Sequence, residues 1–437
     1  MIAIIGAGIS GLSVAYQLHE LGIPYQVFEA ASEPGGYIKS FKNGDYLLEA
    51  GPNTLLADEE VDQLVDKCGA GASKLMPEDV SKKRFVFKKG KYQKLPAGPA
   101  FLFSGYFSWK SKMAVFRERK KPAGNIENES VGDFFERRFS KEIVDYAVNP
   151  FMAGIYAGDP YQLLVEKTFP SLSQFEKEYG SVIKGFMKGS KGKKSTGRKN
   201  SYSFTSGMAE IPKGMAKGLS IKYNCPVQTV AKREDKFVLT TVDGEFEADQ
   251  LVVSSSSAAA GKFLKKSFPE ASKAFGDVYY SPMCVLHSSF KKADVGFDLN
   301  GFGGLHPKVE NLFTAGSLWS SSLFPNRCPE DETLLTTFIG GSQYVDNTKL
   351  SEAQIIEKAT EELGRLYDIK GEAQMQHLTR WEKAIPQYDK NIVAAWEEAE
   401  KLETEGIYVC ANWKDGVSVA DCMKKGVTLA NDLVKAD

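Results

Sequence analysis

An α/β (α+β) fold organised around a nucleotide-binding unit is predicted by three features of the sequence. The chain opens on an apolar run, Ile2 to Ile5, followed at once by Gly6, Gly8 and Gly11 in GAGISG. A second apolar run, Pro24 to Phe28, ends at Glu29, eighteen residues past the last of these glycines. Near the C-terminus, Ile407 to Cys410 and the periodic segment Asp421 to Val434 repeat the order of strand then helix. Strand, glycine turn, helix and acid at this spacing describe a discontinuous Rossmann-type domain. The residues between its pieces are expected to form a mixed-sheet domain and a mainly helical insertion.

Each early element has a physical reason. Ile2 to Ile5 reads as a strand buried on both faces, and the glycines make a tight turn that lets backbone approach a pyrophosphate. The phosphates would rest on the N-terminus of a helix over Leu12 to Leu21, with Ala7, Ile9 and Ser10 supplying backbone between the glycines. Pro24 to Phe28 makes the next strand, and the Glu29 carboxylate can accept hydrogen bonds from ribose hydroxyls. An acid there favours an adenosine with a free 2′-hydroxyl, hence FAD or NAD rather than NADP.

The following residues decide between those two. Ala31 to Ser40 reads ASEPGGYIKS and Leu47 to Thr54 reads LLEAGPNT. The second glycine pair, Gly35 and Gly36, resembles that of flavin oxidoreductases related to amine oxidases, and this resemblance implies FAD. It places Gly36, Tyr37 and Lys39 against the cofactor, with Lys39 a cation near its phosphates where the family pattern has arginine. A point charge there replaces a bidentate fork. Gly51 and Pro52 would turn beneath the flavin ring, followed by Asn53, where some relatives carry arginine, and Thr54.

Composition excludes several function classes. Over 437 residues, 55 basic and 56 acidic side chains leave a net charge of −1, so there is no global field for nucleic acid. The 42% hydrophobic and 25% charged content describes a folded chain of two or three domains. Four histidines show no metal-ligand spacing, and six cysteines form no C-x-x-C pair, which favours reduced thiols. Met1 leads straight into the first strand, and no run approaches the ~20 apolar residues of a membrane span. The expectation is a cytoplasmic protein, soluble or peripheral to a membrane.

Further along, Phe237 to Val242 alternates and reaches Asp243-Gly244, a hairpin signal, before Glu245 to Ala248. Leu251 to Val253 reads as a buried strand entering the serine run Ser254 to Ser257, and Cys225-Pro226-Val227 as the start of a short strand. Ala97 to Met113 (AGPAFLFSGYFSWKSKM) mixes aromatics with late lysines. It suits either an interfacial membrane element or the packing of a helical subdomain. Seven cations between Lys184 and Lys199, among glycines and serines, read as a solvated loop.

Five further segments occur in register with this fingerprint: NPFMAGIYAGDP (149–160), SFTSGM (203–208), LWSSSLFPNRCPEDETLLTTFIGG (318–341), WEKAIPQY (381–388) and VSVADCMKKG (417–426). Together they resemble the oxygen-dependent porphyrinogen oxidases of haem synthesis, which act on protoporphyrinogen or coproporphyrinogen. The resemblance implies oxidation of a reduced tetrapyrrole by six electrons, in three hydride transfers to flavin N5, with O2 reduced to H2O2. It implies no strong protein base and a non-covalent FAD, since no cysteine lies around Trp381 to Tyr388. Val227 would hold the adenine, and Asn412, Val417, Ser418 and Val419 would meet the flavin at a second helix N-terminus.

For the substrate, Arg84 falls where the family anchors a propionate, and a guanidinium forked onto a carboxylate suits that task. Gly154, Leu305 and Phe324 would line the ring slot, with Gly154 giving room for close approach. Arg327 is expected to pair with Glu330 or Asp331, and Cys422 to be structural. The division expected is 1–82, 200–265 and 405–437 for FAD, 83–96 and 266–404 for substrate, and 97–199 for the helical part. A homodimer is left open. Two rival readings are another flavin amine oxidase or carotenoid-type desaturase, and a non-catalytic escort of the same fold.

Overall fold

The computed structural model describes residues 1–435 except 97, 99 and 193–199, and only the backbone of 189–192. The cation-rich stretch up to Lys199 therefore lies largely outside the described residues. Strand β1 (Ile2–Ile5) is buried throughout and pairs in parallel with β2 (Tyr25–Phe28) on one side and with Gln250–Val253 on the other. Ile221–Lys222 and Ile407–Val409 complete a five-stranded parallel sheet, so three distant parts of the chain build one layer. Helix α1 (Ile9–Glu20) begins directly on the glycine turn, earlier than the expected Leu12, with extended Gly8 as its N-cap.

The C-terminal helix, Val419–Lys435, packs on α1. Their backbones approach so closely that a Cβ on Gly426 would lie 2.5 Å from the Cβ of Ser13. This helix starts two residues before the expected Asp421 because Ser418 caps it. The Ser418 hydroxyl donates to Asp421 Oδ2 (2.6 Å) and accepts from the Asp421 N–H (3.1 Å), a reciprocal cap.

Cys225-Pro226-Val227 is not a strand. It links Ile221–Lys222 to Thr229–Arg233, and Pro226 has no N–H to give a ladder. The hairpin signal does hold. Lys236–Thr241 pairs antiparallel with Gly244–Ala248, and the two-residue turn falls on Val242-Asp243, with Gly244 at φ +113°.

The second domain is built on a seven-stranded mixed sheet. Its order is Met375–Pro386, Tyr280–Lys291, Glu332–Gly340, Gly316–Trp319, Gly303–Leu305, Arg84–Lys88, Lys91–Lys94. Only the Gly303–Leu305 and Arg84–Lys88 pair is parallel. Because strand side chains alternate, one face carries Cys284, Leu286 and Ile339 onto the helix Glu352–Tyr367. The opposite face carries Met283, Val285 and Phe338 toward the nucleotide domain, where they cluster with Ala157, Trp381, Ala384 and Ile385.

Between Ala100 and Gly192 the chain is mostly helical. A buried ion network holds these helices: Arg138, Glu118 and Glu176 are all fully enclosed, and Arg137 bridges Glu129 and Glu176. Breaking such a pair from one side typically costs about 3–5 kcal/mol, because the remaining charge stays buried. Among the described residues no helix is long and apolar enough to cross a membrane. All six cysteines are free and buried, Cys422 among them.

Candidate active site

The glycine turn is fixed by the atoms around it. Gly6 sits at φ +111°, and a Cβ on Gly11 would lie 2.1 Å from the Gly6 carbonyl oxygen, so neither position admits a side chain. At Gly8, by contrast, a Cβ would meet no protein atom within 4 Å, and one on Gly36 would reach only the Gly8 Cα, at 3.4 Å. Gly8 and Gly35 pair as an isolated parallel bridge, and the Gly35 N–H donates to the Ala7 carbonyl (2.9 Å). The two glycine motifs thus lie side by side with open space over Gly8, a cradle that a larger ligand group can fill.

Glu29 fastens this cradle. Its carboxylate accepts the Ala7 N–H at 2.6 Å and the Ala31 N–H at 2.8 Å, and each oxygen keeps a lone pair for a further donor. Asn224 and Cys225 donate backbone N–H groups to the Ala31 and Glu29 carbonyls, which brings half-buried Val227 to the same edge. Lys39 is exposed, and its ammonium has no ion-pair partner among the described residues.

Sequence reasoning missed Ser254. Its hydroxyl is buried without a hydrogen-bond partner, and its backbone carbonyl carbon and oxygen would stand 3.1 Å from a Cβ on Gly6. The serine run was visible, but nothing local marked which hydroxyl meets the glycine turn. The space over Gly8, the unpartnered Ser254 hydroxyl and the Glu29 lone pairs fit the pyrophosphate and ribose of a dinucleotide. The residues present therefore suit FAD.

The segments expected to meet the flavin ring have their own framework. A Cβ on Gly51 would lie 2.0 Å from the Tyr37 carbonyl oxygen, so the two predicted contact segments touch. The Tyr37 hydroxyl donates to the Lys383 carbonyl (2.8 Å), and its ring lies 5.4 Å from that of Trp381. Trp381 Nε1 donates to the Ala50 carbonyl (2.8 Å), and Asn53 Nδ2 to the Gly51 carbonyl (3.2 Å). Pro52 and Thr54 flank that turn, both half-buried. Asn412, Val417, Ser418 and Val419 lie on the loop and helix start that follow the strand Ile407–Val409, with the Ser418 side chain committed to its helix cap.

Two of the four expected substrate residues, Arg84 and Leu305, lie on adjacent strands of the mixed sheet, and Gly154 lies on a helix beside them. Arg84 pairs with Gly303 and Val86 with Leu305, so Arg84, Val86 and Leu305 point to the same face. Leu305 Cδ2 stands 3.6 Å from where a Gly154 Cβ would be, an ordinary contact. The protein itself thus tolerates a side chain at Gly154, and what the glycine keeps free is space between the helix Asn149–Tyr156 and the sheet. The Arg84 guanidinium lies 4.3 Å over the Phe302 ring and has no carboxylate among the described residues. Its neighbours are occupied, Lys82 with Asp79 and Lys83 with Asn300.

Phe324 is 3% exposed and follows the end of Gly316–Trp319 that lies beside Gly303, the strand partner of Arg84, with the Arg327 guanidinium 5.2 Å from its ring. Arg327 is not paired with Glu330 or Asp331, which point outward. It turns inward to Ser203 Oγ (2.6 Å), the Phe204 carbonyl (3.3 Å) and Glu49 (3.4 Å). Burial pushes the Glu49 carboxyl up to about 7, opposed by its bonds from Ser40 and Met208 and by the Arg327 charge.

Comparison with known proteins matches this geometry. Residues 9–434 fit the model of the flavin containing amine oxidoreductases. The chain is 32% identical to Protoporphyrinogen oxidase 2 of Arabidopsis thaliana, over 99% of this chain and 93% of that one. It is 26% identical to Coproporphyrinogen III oxidase of Bacillus subtilis, over 99% and 97%. A crystal structure from Exiguobacterium, provisionally described as a protoporphyrinogen oxidase, superposes with a TM-score of 0.81 at 18% identity, covering 100% of this chain and 99% of that one. Reduced UDP-galactopyranose mutase follows at 0.77 and 17%, covering 100% and 96%, so the fold alone does not set the reaction. Motif, cradle and full-length similarity agree: this chain belongs to the flavin-containing amine oxidoreductases.

Proposed function

We propose that the protein is an FAD-dependent porphyrinogen oxidase, taking protoporphyrinogen IX or coproporphyrinogen III to the porphyrin in haem synthesis. The observation that carries this reading is Arg84, a cation without a carboxylate among the described residues, on the sheet face that Val86 and Leu305 share, with Leu305 facing Gly154. A propionate needs a cation, and the tetrapyrrole needs the apolar space beside it. The names of the full-length relatives support the same substrate class.

Bound FAD, held non-covalently, supplies a two-electron acceptor, and O2 is the terminal oxidant in this reading. The chain's own residues bind and orient. Arg84 fixes a propionate, Leu305 and the Gly154 backbone bound the slot, and Met283, Val285, Trp381 and Phe338 keep water from its inner wall. Among the proposed cofactor residues, Glu29 and the Gly6–Gly11 turn hold the adenosine half, while Gly51–Thr54 and Val417–Val419 hold the flavin half. The domain division 1–82, 200–265 and 405–437, then 83–96 and 266–404, then 97–199, follows from the same reading.

The helical part carries a second proposal. Phe103 (87% exposed), Trp109 (72%) and Phe186 (58%) project from it, and Phe151 and Ile155 are exposed on the helix that holds Gly154. Aromatics with Lys110 and Lys184 nearby suit shallow contact with an anionic bilayer at the mouth of the slot. Cosedimentation with anionic phospholipid vesicles tests it: wild type should pellet, and the F103S/W109S double variant should stay in solution. The substrate reading is tested by aerobic turnover of each porphyrinogen followed by porphyrin fluorescence, with a primary amine as the competing substrate. Turnover of the amine alone would overturn it.

A further inference from the structure

The loop Ala411–Gly416 carries Asn412 and leads into the C-terminal helix, yet it forms no strand or helix of its own. Side chains around it hold its shape: Trp396 Nε1 donates to the Trp413 carbonyl (2.7 Å), and Lys425 and Tyr388 take others of its backbone groups. Lys425, one and a half turns into that helix, turns back so that its Nζ donates to the carbonyls of Ala411 (2.8 Å), Gly416 (3.0 Å) and Lys414. All three ammonium donors are thereby used, each on a different carbonyl of one short loop. From the other side, the enclosed Tyr388 hydroxyl donates to the Asn412 carbonyl (2.8 Å) and accepts the Gly416 N–H (2.9 Å). The indole of Trp413 anchors the loop to the nucleotide sheet through the Ser255 carbonyl (3.1 Å).

The consequence lies in the donors left over. With the carbonyls gathered on Lys425, the backbone N–H groups of Asn412 and Val417 have no acceptor among the described residues. The first-turn N–H groups of Val419 and Ala420 are likewise unpaired, as at any helix start. Four donors are thus left free on the loop and at the start of a helix that packs on α1, the helix opened by the first glycine motif. A loop held by charge-assisted hydrogen bonds presents them in one arrangement before the ligand arrives, which lowers the ordering cost of binding.

We propose that Lys425 is a positioning residue for FAD, shaping the Ala411–Gly416 loop so that its free N–H groups and the following helix start meet the cofactor. The inference rests on the flavoprotein reading above. Lys425 itself need not touch the cofactor; it acts through the loop. Its neighbour Lys424 pairs with Asp58 on another element and makes no hydrogen bond to the loop among the described residues, which gives an internal control of equal charge.

Apoprotein titrated with FAD, followed by quenching of flavin fluorescence, reads the effect directly. K425M should bind FAD at least about tenfold more weakly than wild type, K425R should recover part of the loss, and K424M should bind as wild type. K425M also removes three hydrogen bonds from the loop, so its apoprotein melting temperature should fall; affinity is therefore read well below that temperature, where the fold is intact and a merely structural lysine would leave FAD binding unchanged. If K425M does not fold, K425Q, which keeps two donors without the charge, takes its place with the same expected direction. Wild-type affinity in K425M, or equal losses in K425M and K424M, would overturn the proposal. A wild-type protein without FAD affinity would instead contradict the flavoprotein reading.

Discussion

At the scale of single residues, Arg84 and Glu49 make opposite use of charge. Arg84 has no carboxylate partner among the described residues, so its removal should cost substrate binding and little else. Arg84→Ala should raise KM for the porphyrinogen by the equivalent of about 1.5–3 kcal/mol while bound FAD is retained, which steady-state kinetics and the flavin spectrum together check. Glu49 is held inside the protein with its carboxyl raised from 4.5 to about 7. An acid whose folded pKa is raised favours the folded state while protonated. That stabilisation is present below about 4.5 and is lost as pH rises through about 7, by roughly 1.4 kcal/mol for each pH step of one between those values. Thermal melts across pH 5 to 8 should therefore show a stability decline that Glu49→Gln flattens. Neither Glu49 nor its partner could be read from sequence. The two lie 278 positions apart, and the acidic residues next to Arg327 in the chain are the ones it does not meet.

At the scale of elements, what was legible is what is local. Gly6, Gly8, Gly11 and Glu29 fall within one βαβ unit, so spacing alone placed the strand, the turn and the acid. The errors arose where tertiary contacts override the local signal. Cys225-Pro226-Val227 is apolar enough for a strand, but its donors go to the β2 edge and to no ladder of its own. The two helices beside the cradle test the packing account. Gly426→Ala would drive a methyl into Ser13 and push the C-terminal helix off α1, costing about 1–3 kcal/mol in a denaturant melt. Gly11→Ala is more severe at the cofactor, since its Cβ would stand 2.1 Å from the Gly6 oxygen. That variant should purify without bound flavin, as absorbance shows.

At the scale of the whole molecule, the site exists only because separate stretches converge. The nucleotide sheet draws on the N-terminus, residues 221–253 and 407–409, while Arg84 is carried into the second sheet by pairing with Gly303. The sequence motifs named these pieces, but their meeting is a property of the fold. The order of the pieces along the chain also explains why substrate residues were less legible than cofactor residues. Arg84, Gly154 and Leu305 each stand in a different segment, and only the sheet register brings two of them to one face. The reaction itself is tested most directly by anaerobic addition of each porphyrinogen to the purified protein. Bleaching of the flavin band near ~450 nm by one of them, with porphyrin formed in proportion, is the predicted result. A yellow protein that neither porphyrinogen bleaches, but that an amine does, would contradict it.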